Sequence, residues 1–402
     1  MKIYIILLAL FSSLSLTAQQ NVLDQILNDH PEYFGDILDK SDSHFAQIIY
    51  TQINRDANNQ PTFKTYTHGI TDEYYYPAST VKMPAAFLAL EKLNNLGLDK
   101  NLQMYTGAGH FPQTTVLEDP SAPDEIPTIA HYIKHIFLVS DNDAYNRLYE
   151  FLGQAYFNQK LKEKGLDQTR IIHRLSIGGF DREKNSWTNP VSLFDDKKMV
   201  YQQGEVYSRF DWDFNIKNEI RGVAHLGADN KIIPEPFNFS EKNYVSLMDL
   251  HDMLKVVMLP EGVAPDERFD LTESDYDFLY EWMSKLPRAS DYPKHDEPDN
   301  YVKFYVGVDT SATIPPHIKI FNKVGWAYGY LTDVSYIIDT QNKVEYLLAA
   351  NIHVNANQTY NDGVYEYESI GLPFFANLGK VIHDYELKRK RKYQPDLSRY
   401  IK

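Results

Sequence analysis

The sequence predicts a mixed α/β (α+β) fold, an antiparallel sheet domain built from both ends of the chain with an all-helical domain inserted between them. Three observations carry that expectation. Strand-like runs appear near the N-terminus and again near the C-terminus, apolar residues recur at helical spacing through the long middle, and turn residues join neighbouring strand runs. With 402 residues, 43% of them hydrophobic and 14% aromatic, the chain can bury a large core in two or three domain-sized units.

The first element is not part of the fold. Met1-Lys2 followed by "IYIILLALFSSLSLTAQQ" has the basic start, short apolar run and small residues of a secretory signal peptide, with cleavage expected near Ala18. A retained membrane anchor would need a longer unbroken apolar stretch, and Ser12, Ser13 and Ser15 interrupt this one. Residues 1–18 are therefore assigned to the signal. The chain has no cysteine, which excludes disulfides, thiolate metal sites, a cysteine nucleophile and lipidation of an N-terminal cysteine. A periplasmic or secreted location is expected.

A helix is expected from Val22 to Leu38. "HFAQIIYTQINRD" and "PTFKTYTHGI" then flank Ala57 to Gln60 as a β-hairpin. Helical spacing begins near Ser79 with Val81, Ala85, Leu88, Leu90 and Leu93, and helix-like segments dominate as far as Pro260. Strand signals return in "KIFNKV", "YLTDVSYIID" and "VEYLLAANIHV", the last two joined at Thr340 to Lys343. The expected boundaries are 19–78 and 300–402 for the sheet domain and 79–299 for the helical domain, with an insertion at about 194–240. The final helix, "LPFFANLGKVIHDYEL", runs into Lys388-Arg389-Lys390-Arg391-Lys392. Cations there complement the C-terminal end of the helix dipole, a reading preferred to a membrane or nucleic-acid contact.

Net charge is −15, from 55 acidic and 40 basic residues, so a phosphate backbone would be repelled and nucleic acid is excluded as a partner. The chain has no Gly-x-x-x-x-Gly-Lys phosphate loop and no Gly-x-Ser-x-Gly elbow, which leaves nucleotide chemistry and the α/β-hydrolase route without support. His131 and His135 are four apart on an expected helix, but no Glu completes a His-Glu-x-x-His pattern and no third ligand is evident. No metal and no cofactor is expected.

The chemistry concentrates in "YPASTVKMP". Ser79 precedes Lys82 by three residues, so on a helix the two side chains share a face and can touch. A serine hydroxyl becomes a nucleophile when a neighbouring base removes its proton, and lysine serves as that base once desolvation lowers its pKa. The bland alternative is a capping serine beside a solvated lysine. No other serine in the chain is followed by lysine at this spacing. Sixty-one residues after Ser79, Ser140-Asp141-Asn142 stands between an apolar stretch and a helix-like one. Such a tripeptide caps helices, and it can also deliver a hydroxyl and an amide into a cleft.

Ser79-x-x-Lys82 with Ser140-Asp141-Asn142, followed by Lys323-Val324-Gly325 on a later strand, resembles the penicillin-recognising serine hydrolases, specifically the class A β-lactamase-like branch. The resemblance spans about Phe45 to Tyr385. It implies a β-lactamase/transpeptidase-like fold and an acyl-enzyme at Ser79, with Lys82 as proton acceptor and Ser140 as proton shuttle. It likewise implies that Asn142, Lys323, Gly325 and Trp326 contact substrate. Lys323 would supply positive charge, Gly325 would admit substrate backbone, and the N–H groups of Ser79 and Trp326 would form the oxyanion hole.

Three departures from the family pattern stand out. Class A enzymes use a loop glutamate to activate the deacylating water, but "HRLS" is followed by Ile177-Gly178-Gly179; Asp181 and Glu183 are the remaining candidates for a base. Val324 lacks the hydroxyl that usually contacts a substrate carboxylate, and the 183 residues from Ser140 to Lys323 exceed what a compact class A enzyme uses. The functional expectation is a periplasmic serine hydrolase acting on a β-lactam, a peptidoglycan-type peptide or another amide or ester. The alternative is a catalytically silent or slowly deacylating penicillin-binding or sensor protein. The expected partner is a small-molecule or peptide substrate, with no membrane span after signal removal.

Overall fold

The computed structural model describes residues 21–290, 294–307, 309, 311 and 313–401. The expected signal segment lies outside them. In chain order the main elements are α1 (Val22–Asn28), α2 (Pro31–Asp39), β1 (Gln47–Arg55), β2 (Pro61–His68), α3 (Lys82–Leu96), α4 (Ile129–Leu138) and α5 (Asn142–Leu152). They continue as α6 (Gln154–Glu163), α7 (Leu247–Met258), α8 (Glu273–Ser284), β3 (Ile318–Ala327), β4 (Tyr330–Asp339), β5 (Val344–His353) and α9 (Leu372–Lys388).

The five strands form one antiparallel sheet in the order β3-β4-β5-β1-β2, so strands from both ends of the chain lie side by side. Its core is layered. Phe321, Tyr336, Ile338, Leu347 and Ile49 face the helices of the middle segment. Ile320, Val324, Ile337, Leu348 and Ile48 face α1, α2 and α9 through Leu23, Phe34 and Phe375. That alternation follows from side chains on a strand projecting to opposite faces with a period of two. The hairpin turns are set by aspartates: Asp56 Oδ1 accepts from the N–H groups of Asn58 and Gln60, and Asp339 Oδ1 from those of Gln341 and Asn342.

Two sequence expectations need correction. The single helix from Val22 to Leu38 is two, broken at His30-Pro31. Proline has no N–H to donate and its ring clashes inside a helix, so Pro31 starts α2 instead of continuing α1. The inserted domain is also not all-helical. Gln103–Thr106, Val191–Asp195 and Lys198–Gln203 form a small antiparallel sheet, in which Val191 and Leu193 are buried while their neighbours are not. In the 194–240 stretch, Phe237 packs against Tyr328 and Tyr360, with centroids 5.4 and 6.0 Å apart, so this segment braces the sheet domain with its aromatic rings.

Buried ion pairs tie the ends of the chain into the sheet. Arg55 donates to both oxygens of Glu345, at 2.7 and 2.8 Å, and to Glu261 at 2.9 Å. Replacing Arg55 by Met leaves the Glu345 carboxylate buried and uncompensated, and is expected to cost about 3 to 5 kcal/mol in urea unfolding. The C-terminal basic run is held more specifically than a helix dipole requires. Arg389 and Arg391 both donate to buried Glu386, and Arg389 also reaches Asn54 and the Ile53 carbonyl of β1. No helix among the described residues is long and apolar enough to cross a membrane.

Candidate active site

The site begins where the chain leaves β2 and turns into α3. Ala78 adopts a left-handed conformation (φ 47°), and Ser79 lies in one tight helical turn, Ala78–Val81, in front of α3. Thr80 closes that turn by donating its N–H and hydroxyl to the Pro77 carbonyl, at 3.1 and 2.7 Å. No side chain caps the turn or α3, so Ser79 does not cap a helix. Lys82 is 0% exposed rather than solvated. The bland reading of the pair therefore fails for both residues.

The Lys82 Nζ lies 2.8 Å from Ser79 Oγ, 2.8 Å from Asn142 Oδ1 and 3.3 Å from Ser140 Oγ, and also contacts the Ser140 carbonyl. Burial pulls its pKa from the ordinary lysine value down to about 7, opposed by the nearby Asp141 charge. A lysine poised there is neutral in a large fraction of molecules at neutral pH, and its lone pair can accept the Ser79 proton.

Both readings of Ser140-Asp141-Asn142 are realised, by different residues. Asp141 caps α5, its Oδ1 accepting from the Ala144 N–H at 2.7 Å. Ser140, left-handed with φ 58°, and Asn142 instead turn into the cleft. Ser140 Oγ contacts two lysines, Lys82 at 3.3 Å and Lys323 Nζ at 2.8 Å. Lys323 is 2% exposed and also donates to the Val324 carbonyl at 2.9 Å. Burial, reinforced by the Lys82 charge, holds its pKa well below the usual lysine range.

On β3, Gly325 and Val324 pack against neighbouring segments of the chain. A Cβ on Gly325 would fall 2.5 Å from the Pro77 carbonyl oxygen and 3.0 Å from the Ser79 nitrogen. The missing side chain thus lets the strand lie against the turn that carries Ser79, which brings the backbones of Ser79 and Trp326 together. Val324 packs in the apolar layer with Val302, Phe304 and Leu331 and does not line the cleft, so a hydroxyl there would meet apolar neighbours. Trp326, 43% exposed, lines the cleft, its ring 5.5 Å from that of Tyr367.

The cleft has a volume of about 600 Å³. Ser79, Ser140, Asn142, Ser176 and Asn361 supply its polar lining, and Tyr76, Tyr301, Trp326, Tyr328 and Tyr365 its aromatic walls. Among the described residues, no carboxylate lines it. Asp181, a candidate base, caps the short helix Arg182–Ser186 and pairs with Lys184 at 2.9 Å. Glu183 accepts from the Tyr207 hydroxyl at 3.3 Å on the exposed surface. Neither is among the residues lining the Ser79 cleft, although Asp181 lines an adjoining cavity of about 520 Å³ that shares Tyr76, Ser176 and Tyr328 with it.

Ser176, the last residue of the "HRLS" segment, lines one wall of the cleft. It is placed there by Asn146 of α5, which accepts from the Leu175 N–H at 2.8 Å and donates to its carbonyl at 3.0 Å, and by Arg174, bound to buried Glu150 at 2.9 Å. Sequence reasoning missed Ser176, Asn361 and the tyrosines as lining residues. Only the "HRLS" segment carried a signal; Asn361 and Tyr365 come from a loop after β5 with no pattern of its own. His131 bonds Ser121 at 3.0 Å and its ring lies 4.3 Å from that of His135, and among the described residues no group of three or more potential ligands is arranged to hold a metal ion.

A model of the β-lactamase enzyme family matches residues 53–212, a span that contains the Ser79 and Ser140 motifs but not Lys323. Among curated proteins none matches the chain. Similar solved structures include PBP-A, 15% identical over 92% of this chain and 97% of that one, with a TM-score of 0.48. Others are a β-lactamase from Sphaerobacter thermophilus (10% identity, 92% and 98% coverage, TM-score 0.48) and a class A β-lactamase from Mycobacterium abscessus (13%, 90% and 98%, TM-score 0.47).

Proposed function

From a β-lactamase-like chain, matched to that enzyme family over residues 53–212, we propose an exported serine hydrolase that forms an acyl-enzyme at Ser79 with an amide or ester and releases it slowly. A β-lactam or a peptidoglycan-type peptide would be the substrate. The observation that carries this reading is the buried Lys82 amine, 2.8 Å from Ser79 Oγ with its pKa drawn to about 7.

In the proposed sequence Lys82 takes the Ser79 proton as Oγ attacks the carbonyl carbon. The backbone N–H groups of Ser79 and Trp326 receive the developing oxyanion. Ser140, touching both Lys82 and Lys323, passes the proton to the leaving group, and the bond to that group breaks. Asn142 and the aromatic walls position the acyl portion. The lining supports slow release, since among the described residues no carboxylate lines the cleft to activate a water against the acyl ester. The same feature supports a related reading, a penicillin-binding sensor in which the acyl-enzyme is the signalling state.

Intact-mass spectrometry of signal-free protein mixed with a fluorescent penicillin tests this directly. A single adduct that forms on wild type, is missing from Ser79→Ala and outlasts the free penicillin is expected. Absence of any adduct, or one that survives in Ser79→Ala, would overturn the assignment. Rapid clearance with multiple turnover would retain Ser79 and refute the slow release.

A further inference from the structure

The cavity of about 520 Å³ that adjoins the Ser79 cleft meets it across Tyr76, Ser176 and Tyr328. The Tyr76 ring stands edge-on to that of Tyr328, with centroids 5.1 Å apart, and parallel to that of His173 at 6.3 Å, so the shared wall is aromatic. The other walls come from residues 173–185 and from residues 238–242, where the inserted stretch ends.

Three of the charged side chains that line this cavity already have partners. Arg174 is bound to Glu150 at 2.9 Å, Arg182 to Asp211 at 2.9 Å and Asp181 to Lys184 at 2.9 Å. Lys242 is different. Its ammonium makes no hydrogen bond or ion pair among the described residues and stands 6.0 Å from the Phe237 ring centroid. The adjacent Glu241 is exposed and does not pair with it. The side chain is half-buried, yet its amine is not among the unpartnered polar atoms that the fold seals from solvent, so a molecule in the cavity can reach it. Burial lowers its pKa from the ordinary lysine value, opposed only by the Glu241 charge, as befits a cation short of a counter-ion.

The lysine is also held in place. Lys242 donates its N–H to the Phe239 carbonyl at 2.9 Å, and its own carbonyl accepts from buried Arg170 Nε at 2.9 Å. Asn243 joins the two walls: its Oδ1 accepts from the N–H groups of Ile172 and His173, at 2.8 and 3.1 Å, and its amide donates to the His173 carbonyl at 3.2 Å. The cavity is therefore built before a ligand arrives, which lowers the ordering cost of binding.

A partly desolvated cation without a partner favours an anion, and the shared wall makes that anion part of whatever occupies the Ser79 cleft. We propose that the adjoining cavity receives the far end of the substrate's acyl group and that Lys242 selects acyl chains ending in a carboxylate. Ser140, assigned to the leaving group, lines the cleft but not this cavity, which is why the acyl side is the side assigned to it. The assignment rests on the Ser79 reading and extends it to the identity of the acyl group.

Penicillins carrying a succinoyl, adipoyl or suberoyl group on the 6-amino nitrogen, each with its terminal methyl ester as the uncharged control, test it on signal-free protein. Second-order acylation rates should favour the acid over its ester about tenfold or more at the length that reaches Lys242, the effect of one charge-assisted hydrogen bond. That preference should vanish in Lys242→Met and persist in Lys242→Arg. Because it is a ratio taken within one variant, a general loss caused by the substitution cancels. Titration calorimetry on Ser79→Ala protein reads the subsite without the chemistry; tighter binding of the acid is expected there, with amide NMR shifts centred on Ser240 and Lys242. Equal rates and equal binding of acid and ester at every length, or a preference that survives in Lys242→Met, would overturn the subsite and leave acylation of Ser79 standing. Lys242-dependent binding to Ser79→Ala protein with no adduct on wild type would do the reverse. Neither binding nor an adduct with any of these compounds would remove both.

Discussion

Lys82→Ala protein will be acylated at Ser79 about 10² to 10⁴ times more slowly than wild type, the usual contribution of a positioned general base. Lys82 Nζ is 2.8 Å from Ser79 Oγ, and among the described residues the cleft offers no carboxylate or histidine in its stead. The pH dependence follows from the same residue. Below about pH 7 the buried amine holds its proton and has no lone pair, so acylation should fall close to tenfold per pH unit; above pH 7 it should level off. Second-order acylation rates from pH 5 to pH 9, taken with a melting curve to confirm that the variant is folded, check both statements. A rate unchanged in Lys82→Ala, or independent of pH across 7, would remove Lys82 from the proposed role.

Gly325→Ala should be nearly as damaging to acylation, by a steric route. The added methyl meets the Pro77 carbonyl oxygen at 2.5 Å and the Ser79 nitrogen at 3.0 Å, and both are backbone atoms that cannot rotate aside. Either β3 or the Ala78–Val81 turn must move, which separates the backbones of Ser79 and Trp326. Overpacking of this kind costs about 1 to 3 kcal/mol of stability. Displaced oxyanion donors cost a further 10²- to 10³-fold in rate. Urea unfolding and stopped-flow acylation would register the two effects separately. Wild-type acylation in a folded Gly325→Ala variant would show that the contact has no bearing on the chemistry.

The network behind β3 makes the placement of Lys323 sensitive to residues outside the cleft. Fully buried Lys303 donates to the carbonyls of Met283 and Ile320 and to Asn322 Oδ1, and Asn322 donates to Asp333 of β4 at 2.9 Å. Lys303→Met leaves those acceptors and the Asp333 carboxylate without their buried cation. Lower stability is expected, with slower acylation as the Ile320 to Lys323 segment loses its anchor; denaturant midpoints and labelling rates of the same samples would show whether the two fall together.

The motif residues were legible because their chemistry depends on short spacing: Ser79 and Lys82 on one helical face, Ser140 and Asn142 around a capping aspartate. The strands were legible because alternating side chains leave a period of two. The division of Val22 to Leu38 into two helices could have been read from Pro31 and was not, since the apolar repeat continues across it. The small sheet at residues 103–106 and 191–203 was hidden because each strand is short and pairs with segments far away in the chain.

Residue types and local spacing determined that Ser79 and Lys82 can meet and in what order the motifs stand, since a hydroxyl three residues before an amine at a helix start is a local arrangement; their expected roles came from the family resemblance. Burial and long-range contact belonged to the tertiary structure. The pKa of Lys82 depends on which atoms exclude water from it, and the packing of Gly325 depends on a turn some 250 residues earlier. Val324 faces an apolar layer because of strand register, and among the described residues none that lines the cleft carries a carboxylate, Asp181 capping the helix Arg182–Ser186 and Glu183 bonding Tyr207.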